Sequence, residues 1–257
     1  MTTNPPAVQL YSVRDELAAD RSGVLQRIAK AGYGAVEAFS VLTDPDGLRA
    51  DLDAAGLAVC SVHANPVGEQ AADVLAAART LGADTIIVPH LPPARYADRA
   101  SVAAVASELN ETAARAADAG FRFGYHNHDF ELSSLIDGTP ALEVLAAVLA
   151  DSVLLEVDTY WAAVGGQDVP ALLRRLGDRV SYLHVKDGPI TRDDPMTAVG
   201  SGRMPVAEIL AAAPAAQWHV VELDRCATDM LTAVEDSLAW LAAHGLAEPV
   251  RRDGGAA

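Results

Sequence analysis

The sequence predicts one α/β domain, a closed parallel barrel of eight strands with helical crossovers, (β/α)8. Three observations carry that expectation: eight short β-rich runs, helical stretches between them, and a glycine ending six of those stretches. At 257 residues and 51% hydrophobic content, the chain is long enough for one such domain with a substantial core.

In chain order the β-rich runs are AVQLYSV (7–13), GAVEAF (34–39), AVCSVHA (58–64), TIIVPH (85–90), RFGYHN (122–127), VLLEVDT (153–159), VSYLHVK (180–186) and WHVVELD (218–224). Between them, stretches such as SGVLQRIAKAG, AADVLAAARTLG, VAAVASELNETAARAADAG and PALLRRLGD carry apolar residues at helical spacing. Gly32, Gly56, Gly82, Gly120, Gly177 and Gly245 stand where a left-handed residue closes a helix. An open doubly wound sheet is the runner-up, and it is weakened by LYSVRDEL standing after the first strand in place of a glycine-rich phosphate turn. No linker or composition shift divides the chain. We therefore expect a single domain over 1–250 and a frayed tail over 251–257.

Charge narrows the partner class. With 19 Lys+Arg against 35 Asp+Glu, the formal charge of −16 disfavours a nucleic-acid duplex or an anionic membrane surface, both of which need a cationic face. A small molecule is the expected partner. Cys60 and Cys226 are too few and too far apart for a disulfide framework or a thiolate metal site, and no apolar run approaches a membrane span. A cytoplasmic protein, assembled as a homo-oligomer, is the expectation.

The ionisable residues fall at the C-terminal ends of the predicted strands: Glu37, His63, His90, His126, Asp158, His184 with Lys186, and Glu222. In a (β/α)8 barrel these ends converge on one mouth, where the chemistry of the fold is built. Taken singly, each residue reads as well as a hydrogen-bonded structural group, and Glu156, two before Asp158, reads as part of a deeper polar layer. Together they require a cation, because desolvated like charges raise one another's pKa. Asp158, His184 and Glu222 form a carboxylate–imidazole set suited to Mn, Mg, Co or Zn.

The motifs LLEVDTYW, YLHVKDG and VVELD, with the opening VQLYSVRDEL and the run YHNHDFEL, resemble the xylose-isomerase-like TIM-barrel family of sugar isomerases and epimerases. The resemblance spans roughly residues 7 to 245 and implies one divalent cation, manganese favoured, held by residues on strands five to eight. Asp158, His184 and Glu222 match the last three ligand positions. At strand five, where the sugar epimerases carry Glu, this chain has His126 as the nearest match, with His128 or Glu131 as alternatives, or fewer protein ligands plus water.

The resemblance implies proton abstraction next to a carbonyl on a sugar, keto-sugar or cyclitol, with Glu222 as base and His126, His128 or Lys186 as acid. Glu37, His63, His128, Trp161 and Arg203 take substrate-binding roles, His63 and Lys186 orienting oxygens, Trp161 walling the ring and Arg203 reaching an anionic or hydroxylated group from the loop VGSGRMP. One carboxylate of the epimerase pair is missing at strand five, so a dehydratase or lyase acting on a keto-sugar or inosose is the alternative. A second alternative is a non-catalytic accessory subunit that retains the barrel. The endonuclease branch of the family is disfavoured by the charge and by a supply of only seven histidines.

Overall fold

The computed structural model describes residues 5–252. Strands β1 (Ala7–Gln9), β2 (Ala35–Ala38), β3 (Ala58–His63), β4 (Thr85–Val88), β5 (Arg122–His126), β6 (Val153–Asp158), β7 (Val180–Val185) and β8 (Trp218–Val221) pair in parallel in chain order. β8 returns to β1, Ala7 opposite Val220, and the barrel closes. All eight predicted runs are strands. The first is shorter than expected because the Gln9 side chain accepts from the Tyr11 amide (3.1 Å) and turns Leu10–Val13 into a 3-10 helix.

The crossovers are α1 (Arg14–Ala31), α2 (Pro45–Ala55), α3 (Ala71–Leu81), α4 (Arg99–Asp118), α5 (Phe130–Ser133), α6 (Ala141–Ala146), α7 (Thr159–Val164), α8 (Val169–Leu176), α9 (Val206–Ala212) and α10 (Met230–Ala243). Part of the acid surplus starts these helices. Asp44, Asp98, Asp168 and Asp229 cap α2, α4, α8 and α10 by accepting from the amides of Gly47, Ser101, Ala171 and Thr232, where a carboxylate satisfies an orphan N–H and meets the positive helix end. At the other ends, Gly32, Gly56 and Gly82 close α1, α2 and α3 in the left-handed conformation.

A short hairpin, Leu135–Ile136 with Thr139–Pro140, was not among the expected elements. Its turn is Asp137-Gly138, with φ of 52° and 83°, the Asp-Gly turn that favours tight antiparallel pairing. The tail begins tied down, Arg252 donating to the carbonyls of Ala29, Tyr33 and Gly56, and residues 253–257 lie outside the described residues.

Because side chains alternate along a strand, the barrel interior is stacked in layers. Ala7, Ala35, Cys60, Ile87, Tyr182 and Val220 form an apolar plug. Two residues further along their strands stand Gln9, Glu37, His184 and Glu222, and beyond His184 comes Lys186. All six plug residues are at most 3% exposed, and the hydroxyl of fully buried Tyr182 donates to Cys60 O (3.1 Å).

After β7 the chain folds around one carboxylate. Asp187, buried at 1% exposure, accepts from the amides of Gly188 (2.8 Å) and Met204 (2.9 Å) on Oδ1 and of Gly200 (2.9 Å) and Gly202 (3.0 Å) on Oδ2. Gly202 is obligatory here, since a Cβ would meet Asp187 Oδ1 at 2.1 Å. Asp187→Ala should lower unfolding stability by about 3 kcal/mol, because four amides lose a charged acceptor; urea titration measures it, and an unchanged midpoint would refute the organising role.

Candidate functional site

Glu37, Gln9 and Ser61 begin the polar layer on neighbouring strands. Gln9 Nε2 donates to Glu37 Oε1 (2.7 Å) and Ser61 Oγ to Glu37 Oε2 (2.6 Å). Opposite stands Glu156, whose Oε2 lies 2.6 Å from His63 Nε2, 3.0 Å from His126 Nδ1 and 3.3 Å from His184 Nε2. Three imidazoles from β3, β5 and β7 thus converge on one oxygen from β6. The His63 and His184 rings stack with centroids 5.3 Å apart, and both Nε2 atoms also face Glu37 Oε1, at 3.1 and 2.8 Å.

Burial works against charge on His184, yet Glu156, Glu222 and Glu37 outweigh it and hold its pKa well above the ordinary value. His63 follows the same balance, with burial outweighed by Glu37 and Glu156. His126 has the opposite outcome: burial, only partly offset by Glu156, pushes it down to about 3 and leaves a neutral ring. The two acids also part. Burial and the neighbouring Glu156 raise Glu37, whereas Glu156 is drawn well below its ordinary range because His184 and His63 outweigh its burial.

Above this layer lies the mouth. Asp158 ends β6 and caps α7, its Oδ1 accepting from Trp161 N at 2.8 Å. Glu222 follows β8 and accepts from His184 Nδ1 (2.7 Å) on Oε2. Lys186, 1% exposed, places Nζ 2.8 Å from Asp158 Oδ2, 2.6 Å from Glu222 Oε2 and 2.8 Å from Asp224 Oδ2. The expectation that these acids lack a counter-ion is therefore corrected: the chain supplies His63, His184 and Lys186. Burial still raises Asp158 to about 6 against the pull of Lys186.

A cavity of about 400 Å³ opens over the mouth, lined among others by His63, His126, His128, Lys186, Glu222 and Asp224. Its apolar side is Tyr11, Phe39 and Pro89, the two rings meeting edge to face at 5.5 Å. The run YHNHDFEL divides. His126 and His128 face the cavity, while Glu131 turns away, accepting from the Tyr125 hydroxyl (2.5 Å) and the His128 amide (2.9 Å). Burial raises Glu131 to about 7. This pair of bonds fixes the backbone at His128, whose Nδ1 is buried without a hydrogen-bond partner and whose ring burial keeps neutral at about 2.

Other sequence-predicted residues lie elsewhere. Glu37 is fully buried beneath the cavity. Trp161 is buried behind Lys186, its ring centroid 5.8 Å from Nζ, and does not line the cavity. Arg203 is exposed on the loop gathered by Asp187 and is also absent from the lining. Asp224 and the lip at Phe39 and Ser40 were not singled out from sequence. Asp224 stood within the quoted VVELD motif and had a signal there, but Ser40 is placed by a backbone φ of 50° that no sequence pattern announced.

Two groups bring metal-binding atoms within 4.8 Å of one another: Asp158, His184 and Glu222 at the mouth, and His63, His126, Glu156 and His184 below. The mouth set fits a divalent cation once His184 gives up the proton it holds toward Glu222. Its donors are hard oxygens and an imidazole, and Asp158 Oδ2 is buried without an aligned hydrogen bond, facing the Lys186 ammonium as an ion pair. His126 Nε2, 3.7 Å from Asp158 Oδ2, faces that set, although Nδ1 is committed to Glu156.

A parallel barrel with imidazoles and carboxylates gathered at one mouth defines a class of barrel proteins. The chain matches the profile of the xylose isomerase-like TIM barrel family over residues 25–244 and belongs to that family. It is similar to a sugar phosphate isomerase/epimerase from Parabacteroides distasonis, at 25% identity over 96% of each chain with a TM-score of 0.79. It shares its fold with an L-ribulose 3-epimerase (16% identity, 94% of each chain, TM-score 0.62). The probable 3-DHS dehydratase AsbF of Bacillus anthracis also has this fold (11% identity, 93% of this chain and 99% of that one, TM-score 0.73). No curated protein matches. Among the described residues no helix is long and apolar enough to cross a membrane.

Because Glu156 Oε2 is the shared partner of three imidazoles, Glu156→Ala should cost about 3 kcal/mol of unfolding stability. Chemical denaturation at neutral pH reads this, and a loss no larger than that of an exposed Glu→Ala control would show that the imidazoles hold themselves.

Proposed function

We propose that the protein is a divalent-metal-dependent isomerase or epimerase of a sugar or keto-sugar, acting by proton abstraction next to a carbonyl. The observation that carries this reading is the convergence of metal-binding atoms of Asp158, His184 and Glu222, the last of which lines the cavity with Lys186 and two neutral imidazoles. The likeness to a sugar phosphate isomerase/epimerase supports the substrate class. Two free cysteines support a reducing, cytoplasmic setting.

Asp158, His184 and Glu222 hold the cation, with His126 Nε2 as the nearest fourth donor. Once bound, a divalent cation offers Lewis-acid stabilisation of charge developing on the oxygen beside the reacting carbon. Glu222 stays ionised, because Lys186 and His184 outweigh its burial, and its carboxylate lines the cavity as the proton acceptor. The Lys186 ammonium is the charged donor there, and it supplies a proton or a hydrogen bond to the substrate oxygen. Neutral His128 Nδ1 and His63 hydrogen-bond hydroxyls, and Tyr11 with Phe39 packs against the C–H face of the ring.

A second reading, a dehydratase or lyase on a keto-sugar or inosose, is favoured by one feature. The acids in the lining are Glu222 and Asp224, both following β8, and β5 presents imidazole opposite them. One base with one acid suffices for elimination, whereas epimerisation through opposed carboxylates needs a second.

Metal content separates the site assignment from its rivals: Asp158→Ala and His184→Ala should each retain about tenfold less metal than the parent on elemental analysis. Equal content would place the ion elsewhere. For the base, solvent deuterium should enter a trial keto-sugar about a thousandfold more slowly with metal-loaded Glu222→Gln. Exchange at the parent rate would remove Glu222 from that role.

A further inference from the structure

Lys186 stands where the cation would compete with it. Its ammonium contacts Asp158 Oδ2 and Glu222 Oε2, oxygens of two of the three residues assigned to the metal, and it is 1% exposed. Two cations in contact with the same pair of buried oxygens repel strongly, so entry of the metal requires the ammonium to leave them. The third contact differs in kind. Lys186 donates an aligned hydrogen bond to Asp224 Oδ2 (2.8 Å), whereas its approach to Asp158 Oδ2 at the same distance is an ion pair without hydrogen-bond alignment. Asp224 has a side chain 26% exposed and lines the cavity beside Lys186 and Glu222, so it lies on the substrate side. A lysine stem has the rotatable bonds to swing Nζ by a few ångströms without moving β7.

We propose that Lys186 is an internal counter-ion that competes with the divalent cation for Asp158 and Glu222, and that Asp224 is the anchor to which its ammonium withdraws when the cation enters. The inference rests on the metal-dependent reading above. It couples two events: without metal the ammonium neutralises the mouth, and with metal the same ammonium is delivered toward the cavity, where a substrate oxygen can meet it. Asp224 is then a positioning residue acting through Lys186.

The test is calorimetric titration of Mn2+ into chelator-treated full-length protein, with thermal unfolding measured with and without the ion. Lys186→Met should bind Mn2+ about tenfold more tightly than the parent, since the competing charge is gone. Its metal-free form should melt lower and gain more from Mn2+. Asp224→Asn, at the partly exposed rim, should bind Mn2+ several-fold more weakly, and this loss should vanish in the Lys186→Met background, which a merely structural effect would not do. Parent and Lys186→Met binding Mn2+ with equal affinity would overturn the competition while leaving the metal site standing, as would an Asp224→Asn deficit that persists without Lys186. Binding by neither protein would overturn the metal-dependent reading and the competition with it. Binding by Lys186→Met alone would support the competition in its strongest form.

Discussion

Charge compensation inside the barrel, above its apolar plug, is the constraint from which the site follows. Glu37, Glu156, Asp158 and Glu222 are all at most 5% exposed, and four buried carboxylates cannot remain ionised together without cations beside them. The chain answers with His63 and His184, drawn toward the charged form by the acids, and with Lys186. His184 is the pivot, because Nε2 faces the lower acids and Nδ1 faces Glu222. Position on β7 allows this: the register sets Val220 and Asp158 on either side of it.

That pivot explains why one barrel interior holds three distinct layers. The buried apolar plug lies directly beneath the polar layer, a low-dielectric neighbour that strengthens each polar contact above it and raises the cost of leaving any unmade. Gln9, Ser61 and the imidazoles then satisfy Glu37 and Glu156 almost completely, with Glu156 Oε1 the exception. At the mouth, the contacts loosen. Asp158 Oδ2 has an ion pair without an aligned hydrogen bond, and His128 Nδ1 has neither, so polar capacity is left over at the mouth.

The barrel was legible because its signals are local. Strands buried in a parallel sheet read as β-rich runs, their polar residues mark the ends facing the mouth, and Gly32, Gly56 and Gly82 close helices by a conformation glycine adopts freely. The Asp137-Gly138 hairpin carried an equally local signal that the helix-and-strand count passed over. What composition hid was pairing across the barrel. Lys186 and its neighbour Asp187 are both buried with different partners that their adjacency does not announce: Asp187 gathers amides of its own loop, and Lys186 reaches three acids on two other strands' ends. Trp161 and Arg203 were placed by sequence on the correct rim, but the turn into α7 and the Asp187-centred loop direct them away from the cavity.

The stretch HNH at the end of β5 now has a physical meaning that neither histidine alone would give. Glu156 takes up Nδ1 of His126, and Glu131 takes up the backbone of His128, so two acids that do not line the cavity orient two rings that do. Neutral imidazoles so held differ from a carboxylate in one decisive respect: they offer hydrogen bonds without adding negative charge opposite Glu222. The cavity is therefore chemically one-sided, with carboxylates after β8 and uncharged nitrogen donors and acceptors on β5. Under the proposed proton abstraction, carboxylates and the Lys186 ammonium stand on the β8 side of the cavity, and the β5 side offers hydrogen bonds from rings that carry no charge.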